Sequence, residues 1–212
     1  MIGMLLPRET QFFELLSASA AEVLQKAQTC HGFQRAPSRE VELQIHGDLA
    51  RLHGTDNTTQ KLIDRLNGTF VTPIDREDIH ALAFRLDDVA KAALTAAERF
   101  GLYRLSQSLV HERLADVLVE CCREIVAGID KLVDNRRMVE VQEHCSRIYE
   151  MQGHTDAEMR DVLIQLYDAP VTSAADVVMM IKRMEVIDLQ KRAIERCEWI
   201  ADSLHVIAVK HA

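Results

Sequence analysis

The chain has 212 residues and a formal net charge of −8, from 25 Lys and Arg against 33 Asp and Glu. An acidic chain without a basic block is unsuited to nucleic acid or anionic lipid, so neither is expected as a partner. Gly (8), Pro (4) and aromatic residues (5%) are scarce, whereas all-β folds rely on turn residues and aromatic side chains. The composition therefore favours an all-α protein.

Apolar residues recur at helical spacing along most of the chain, and the four prolines fall between the periodic segments. Asp75 is the predicted N-cap of the third helix, and Ser173 with Asp176 forms a capping box for the sixth. Long helices with short connections predict an antiparallel bundle. The six predicted helices run from 9 to 30, from 38 to 66, from 75 onward, up to about 134, from 138 to 167 and from 173 onward.

A faint internal repeat relates the two halves of the chain. The tetrapeptide His53-Gly-Thr-Asp56 is echoed by Gly153-His-Thr-Asp156, and each copy is followed by an apolar helix that reaches a proline. This pattern predicts two three-helix bundles, at residues 1–106 and 107–212, packed as one compact unit. The alternative is a chance likeness between two apolar helices that both end at a proline.

The cellular compartment is inferred from what the sequence lacks. No window of about 18 apolar residues suggests a membrane span, and the first apolar run is too short for a secretory signal. The cysteines are odd in number and form no C-x-x-C, which indicates small core side chains rather than a disulfide framework. They are Cys30, Cys121, Cys122, Cys145 and Cys197. We therefore expect a cytoplasmic protein.

No nucleotide-binding loop, serine-hydrolase elbow or zincin helix occurs in the sequence, so no enzymatic activity is expected. Carboxylates at i, i+4 are uninformative, because five such pairs are present and about 5 are expected by chance from neighbour spacing alone. The pair Glu198/Asp202 differs, since it lies beside an apolar stripe where a carboxylate needs a partner or a metal. Glu77-x-x-His80 matches a di-iron motif, although Glu77 in a first turn more simply serves the helix dipole.

One segment carries a family resemblance. The stretch Phe70-Val-Thr-Pro-Ile-Asp-Arg-Glu-Asp-Ile-His80 and the following Leu86-Asp-Asp-Val89 closely resemble the signature of the PhoU-like phosphate-transport regulators. The best match is to the branch known as Pit accessory proteins, which are encoded beside low-affinity inorganic phosphate permeases. The resemblance spans essentially the whole chain. It implies two three-helix bundles in a pseudo-repeat and a cytoplasmic regulatory role beside a membrane permease.

The resemblance also implies a metal site, because PhoU-like proteins carry E(D)-x-x-x-D motifs that hold iron or zinc in several members. This chain departs from the pattern, since three of the four pairs have lost one carboxylate. The lost partner positions are Leu52, Lys91 and Gln152. The retained candidate ligands are Asp56, Asp87, Asp156, Glu198 and Asp202.

The loss of one carboxylate from each of three pairs should weaken a metal cluster strongly, because a hard multi-metal site needs many oxygen ligands. Lys91 could instead place an ammonium beside Asp87. His53 and His154 adjoin the retained aspartates and could supply nitrogen ligands, or could be ordinary polar surface. We therefore expect either no cofactor or a weakly bound divalent or transition metal.

The predicted function is a non-enzymatic cytoplasmic regulator of inorganic phosphate transport that acts through contact with a phosphate permease. Two alternatives stay open. One is a metal-dependent enzyme built on a carboxylate bundle, motivated by Glu198, Asp202, Glu77 and His80. The other is a structural partner-binding bundle that has lost the metal cluster. The sequence does not fix the symmetry of any homo-oligomer.

Overall fold

The computed structural model describes residues 7–35, 47, 58–105 and 108–211, which form helices joined by short turns with no strand among them. The all-α prediction is confirmed, and the six predicted helices are all represented. Most of the predicted second helix before Thr58, including Leu52, His53 and Asp56, lies outside the described residues. The helices are α1 (Pro7–Gln34), α2 (Thr58–Asn67), α3 (Arg76–Leu102), α4 (Leu109–Lys131), α5 (Met138–Asp168) and α6 (Ala174–His211).

Two predicted helix starts lie where the sequence places them, but only one side chain caps its helix. Asp176 accepts hydrogen bonds from the backbone N–H of Ser173 (2.8 Å) and Thr172 (3.0 Å), and the Ser173 hydroxyl accepts from the Asp176 N–H (3.3 Å). Asp75 occupies the N-cap position of α3 without a side-chain capping bond. Its carboxylate binds Lys210 of α6 at 2.8 Å instead. Asp75 therefore ties two helices together rather than capping one.

The helices of the two predicted halves pack directly on each other. Helix α1 lies against α3 and α4, while α6 lies against α3, α4 and α5. Burial of apolar side chains is the main driving force for such packing, and one buried cluster contains residues from all six helices. Its largest fully buried side chains are Phe12, Leu16, Leu62, Ile79, Leu82, Leu86, Leu94, Ile125, Ile129, Leu132 and Ile148. The boundary between residues 106 and 107 stays a prediction.

A buried polar network crosses this core. The Gln190 amide on α6 donates to Gln34 Oε1 of α1 at 2.9 Å and to the backbone carbonyl oxygen of His111 on α4 at 3.0 Å. Both amide hydrogens are thereby used, so Gln190 Oε1 accepts at 2.9 Å from His111 Nδ1. The His111 ring packs edge-on against Phe100 of α3. Four helices thus meet at one set of hydrogen bonds and ring contacts.

All five cysteines are buried and free, as the sequence predicts. Burial disfavours a thiolate, and it raises the pKa of both Cys30 and Cys145 to about 12. The Cys197 thiol has its pKa raised by hydrogen bonds with Cys121 and Cys122 and by burial. These thiols therefore act as small apolar core groups.

The far end of the α5–α6 pair has no buried core of its own. No residue from Ala169 to Glu185 is buried, and burial along α6 begins at Val186. We call residues 156–191, which include the last turns of α5 and the first turns of α6, the α5–α6 hairpin. The apolar side chains between Ala169 and Glu185 therefore lie at the surface, whereas Met159, Val186 and Ile187 of the same hairpin are buried in the core.

Candidate functional site

The first pair of predicted ligand positions lies on α3, one helical turn apart. Lys91 Nζ donates to Asp87 Oδ2 at 2.5 Å, which is the i, i+4 geometry of an ion pair on a helix. The ammonium stands where the resemblance implies a second carboxylate. Asp56 and its partner position Leu52 lie outside the described residues, so their relation to Asp87 stays a prediction.

Asp156 on α5 is held by two donors, one on each carboxylate oxygen. Gln152 Nε2 donates to Oδ2 at 2.8 Å from one turn earlier on the same helix. Lys191 Nζ lies 3.1 Å from Oδ1 and reaches across from α6. The same ammonium contacts Glu195 Oε1 at 2.9 Å. Hydrogen bonds to Glu195 and to Asp156 raise the pKa of Lys191, so this lysine stays charged and bridges two carboxylates.

Glu198 and Asp202 follow on α6 at the spacing of one turn. The Tyr149 hydroxyl of α5 donates to Asp202 Oδ1 at 2.9 Å, and burial together with this bond raises the pKa of Tyr149. Partial burial and the neighbouring charges of Asp202, Asp156 and Glu195 raise the pKa of Glu198. Among the described residues no cation forms an ion pair with Glu198 or with Asp202, so their charges act on each other without a compensating ammonium or guanidinium.

The structure brings three of the five predicted ligand residues together. Asp156, Glu198 and Asp202 are close enough for their charges to act on one another, and no contact among the described residues links them to Asp87. We use the name α5–α6 carboxylate site for this cluster. Its members are Tyr149, Gln152, Asp156, Lys191, Glu195, Glu198 and Asp202.

Two of the three histidine candidates, His80 and His154, lie on the surface, and His53 is outside the described residues. His154 is exposed and forms no hydrogen bond or ion pair with any described residue. His80 is exposed and packs against the Phe84 ring at 4.5 Å between centroids. Glu77 is also exposed, in the first turn of α3. Among the described residues, no cluster of metal-binding side chains surrounds His154 or His80. Ligation by His154 and the di-iron motif therefore stay predictions.

Three members of the carboxylate site were missed by sequence reasoning, namely Lys191, Glu195 and Tyr149. A signal was present for two of them. Residues 191, 195, 198 and 202 are spaced four, three and four apart, which places them on one helix face. Tyr149 carries no such signal, because its partner lies on another helix and only the packing of α5 on α6 brings them together.

The donor set does not fit a multinuclear metal cluster. Both oxygens of Asp156 are occupied by an amide and an ammonium, and single oxygens of Glu195 and Asp202 are occupied by Lys191 and Tyr149. No group of three or more His, Cys, Asp or Glu is arranged to hold a metal ion among the residues that the structure describes. A cation-rich cluster would have to displace Lys191, which already neutralises the same oxygens.

No helix within the described ranges is both long enough and apolar enough to cross a bilayer.

Comparisons with known proteins place the fold. No family model matches the chain. The chain is 26% identical to the UPF0111 protein YkaA of Bacillus subtilis over 208 residues, which covers 97% of this chain and 98% of that protein. The crystal structure of a PhoU-like protein from Shewanella oneidensis matches with a TM-score of 0.74 at 16% identity, covering 94% of this chain and 99% of that one.

A second crystal structure from Shewanella oneidensis, of a candidate PhoU-like phosphate regulatory protein, matches with a TM-score of 0.73 at 14% identity and the same coverage. The fold is therefore that of the PhoU-like helical bundles. The predicted resemblance to the PhoU-like proteins is confirmed for the fold. Its narrower assignment to the Pit accessory branch stays a prediction.

Proposed function

We propose that this protein is a non-enzymatic regulator of inorganic phosphate transport that acts by binding a phosphate permease from the cytoplasmic side. The observation that carries the proposal is the whole-chain likeness to PhoU-like bundles, one of them a candidate phosphate regulatory protein. The sequence segment Phe70–His80 supports the same reading, because it resembles the signature of phosphate-transport regulators.

The chemistry of the carboxylate site supports a role without catalysis. Asp156, Glu195 and Asp202 are occupied by Lys191, Gln152 and Tyr149. Asp156 and Lys191 line a groove between α5 and α6, but they already bind each other there rather than facing it as a free acid and base. The one carboxylate with a raised pKa, Glu198, owes the shift to burial and to neighbouring carboxylates. A perturbed pKa of that origin arises in structural clusters as well as in catalytic ones.

The test of this function is a deletion strain and a pull-down. Deleting the gene should change inorganic phosphate uptake, and the native protein extracted with mild detergent should co-purify with a phosphate permease. Unchanged uptake at both scarce and abundant phosphate, with no permease recovered, would refute the regulator and leave a structural bundle with another partner.

We also propose that the protein binds iron or zinc weakly or not at all. Lys91 and Lys191 supply positive charge at Asp87 and Asp156, so a metal would have to compete with two ammonium groups for these oxygens. Restoring the missing carboxylates in the double variant Lys91→Asp and Gln152→Glu should raise metal affinity, because it adds two oxygen ligands and removes one cation.

Elemental analysis of untagged protein, before and after a chelator wash, measures this directly. We expect less than one equivalent of iron or zinc in the native protein and a higher content in the double variant. One or more equivalents in the native protein, lost in Glu198→Ala, would overturn the proposal and return the metal-dependent enzyme to consideration.

A further inference from the structure

The chain contains three asparagines, and only one of them precedes a glycine. That residue is Asn67, the last residue of α2, and both it and Gly68 are exposed. Asparagine is one of the thermolabile residues of proteins, because the backbone nitrogen that follows it can attack its side-chain amide. Glycine has no Cβ, so the nitrogen of Gly68 is the least crowded of the three nitrogens that follow an asparagine in this chain.

Asn135 provides an internal comparison, because it differs from the Asn-Gly site mainly in the residue that follows. It is exposed in the short 3-10 turn before α5, and the next residue is Arg136. The Arg136 N–H donates to Asp134 Oδ1 at 3.1 Å. The Gly68 N–H donates to the backbone oxygen of Asp64, also at 3.1 Å. Since both nitrogens are held in hydrogen bonds of the same length, the missing side chain of Gly68 is what separates the two sites.

We propose that Asn67 is a site of spontaneous deamidation in the folded protein. The Gly68 nitrogen gives up its proton to base and attacks Cγ of the Asn67 side chain. A new N–Cγ bond forms, the Cγ–Nδ2 bond breaks, and ammonia leaves, so that a succinimide ring closes across the two residues. Water then opens this ring at one of its two carbonyl groups and gives aspartate or isoaspartate. Water is the only other reactant that the sequence of steps consumes.

The last turn of α2 controls how fast this reaction runs. Its hydrogen bond to Asp64 directs the Gly68 N–H along the helix axis and away from the Asn67 side chain. The Thr69 hydroxyl adds a second bond, to the backbone oxygen of Arg65 at 2.8 Å. Both bonds belong to the end of a helix of 10 residues, and helix ends open more readily than helix centres. The reaction therefore proceeds from a locally open turn, without unfolding of the core.

Deamidation adds a negative charge at an unfavourable end of the helix. The C-terminus of a helix carries the negative end of its dipole, and Asp64 lies three residues earlier on the same face. The isoaspartate product also routes the main chain through one additional methylene group. This insertion lies directly before the loop that carries Phe70, whose side chain is 99% exposed. Both changes weaken the hydrogen bonds that tie this loop to α2.

Mass spectrometry of the stored protein tests the site. Purified full-length protein is kept in mildly alkaline buffer, sampled over days and digested briefly with trypsin. The peptide 66–76 contains Asn67 as its only asparagine, and we expect it to convert into two products that both have the mass of the acid. The peptide that contains Asn135 should stay intact over the same time.

Gly68→Ala is the matched control variant. The new Cβ would lie 3.5 Å from the nearest backbone oxygen, which is an ordinary contact, so the variant should keep the fold. It should slow the conversion of Asn67 about 10-fold or more, which corresponds to a barrier higher by about 1.4 kcal/mol. The native chain unfolded in guanidinium chloride gives the rate without the helix, and it should convert faster than the folded protein.

Three results would overturn the proposal. They are an intact Asn67 in the folded protein after the unfolded chain has converted, conversion of Asn135 at the same rate as Asn67, and an unchanged rate in Gly68→Ala.

Hydrogen exchange tests the consequence for the loop. Asn67→Asp places the product carboxylate at the C-terminal end of α2, whereas Asn135→Asp places the same charge near the N-terminal end of α5, where the helix dipole favours it. The amide hydrogens of Gly68 and Thr69 should exchange faster in Asn67→Asp than in the native protein and at the native rate in Asn135→Asp. Equal exchange in all three proteins would refute the effect of deamidation on the loop.

Discussion

Replacing Gln190 with leucine should show how much the buried polar network contributes to stability. Gln190 is 2% exposed and serves Gln34, the His111 side chain and the His111 carbonyl at the same time. Leucine has a similar volume but no polar atoms. The substitution therefore removes three hydrogen bonds without opening a large cavity, and it leaves three polar atoms on the neighbouring residues without this partner.

The size of the effect follows from those three atoms. A buried polar group left without a partner costs about 1–3 kcal/mol, and the added apolar burial of leucine offsets part of this. Partial relaxation of Gln34 reduces the sum further, so we expect a loss of about 3–5 kcal/mol in the free energy of unfolding. That is a large fraction of the stability of an ordinary domain.

Urea unfolding followed by far-ultraviolet circular dichroism measures the loss. The denaturant midpoint of Gln190→Leu should fall while the slope stays that of the native protein, since the surface exposed on unfolding is the same. The control is Gln165→Leu on the exposed side of α5, which should change the free energy by less than about 0.5 kcal/mol. A loss below about 1 kcal/mol for Gln190→Leu would refute the reasoning.

The remaining predictions concern pH, glycine and a helix cap. Burial lowers the pKa of His111, although the hydrogen bond that His111 Nδ1 donates to Gln190 Oε1 acts in the opposite direction. The folded chain therefore keeps this ring neutral, while the unfolded chain takes up a proton below about pH 6.5. Its contribution to stability should be full above that pH and be lost as pH falls, and the nontitrating variant His111→Asn should show a shallower decline in urea unfolding. Gly153→Ala should raise the free energy of unfolding by about 0.5–1 kcal/mol, because no heavy atom lies within 4 Å of the new Cβ. Gly101→Ala should lower it by about 1–3 kcal/mol in the same assay, because the new Cβ would meet the ring of the buried Phe33. Asp176→Ala should cost about 1 kcal/mol and lower Tm, because it removes the half of the capping box that binds the backbone N–H groups of Thr172 and Ser173 just before α6. An unchanged Tm would contradict this.

Local patterns in the sequence predict the helices well and their side-chain partners less well. The apolar spacing along α3 and α6 is enough to assign both helices, and the Ser173–Asp176 capping box forms as predicted. Asp75 shows the limit, because it occupies the predicted N-cap but its carboxylate binds Lys210 from a helix more than a hundred residues later. No local pattern encodes that contact, since it depends on how α3 and α6 pack.

The same distinction applies to the carboxylate site. The sequence identifies Glu198 and Asp202 because the pair lies beside an apolar stripe and matches the E(D)-x-x-x-D motif that the family resemblance implies. It also identifies the substituted position Lys91, and the structure places that ammonium on Asp87. The bridging role of Lys191 requires α5 to lie beside α6, so its contact with Asp156 follows only from tertiary packing.

The five buried thiols give this protein an internal reporter of its own opening. Cys30 lies on α1, Cys121 and Cys122 on α4, Cys145 on α5 and Cys197 on α6, and all are shielded from solvent. An alkylating reagent can therefore reach each of them only when the surrounding helices separate. Mass spectrometry of the modified peptides would then rank the helices by how often they detach, which distinguishes a bundle that opens as a whole from one that releases a single helix to a partner.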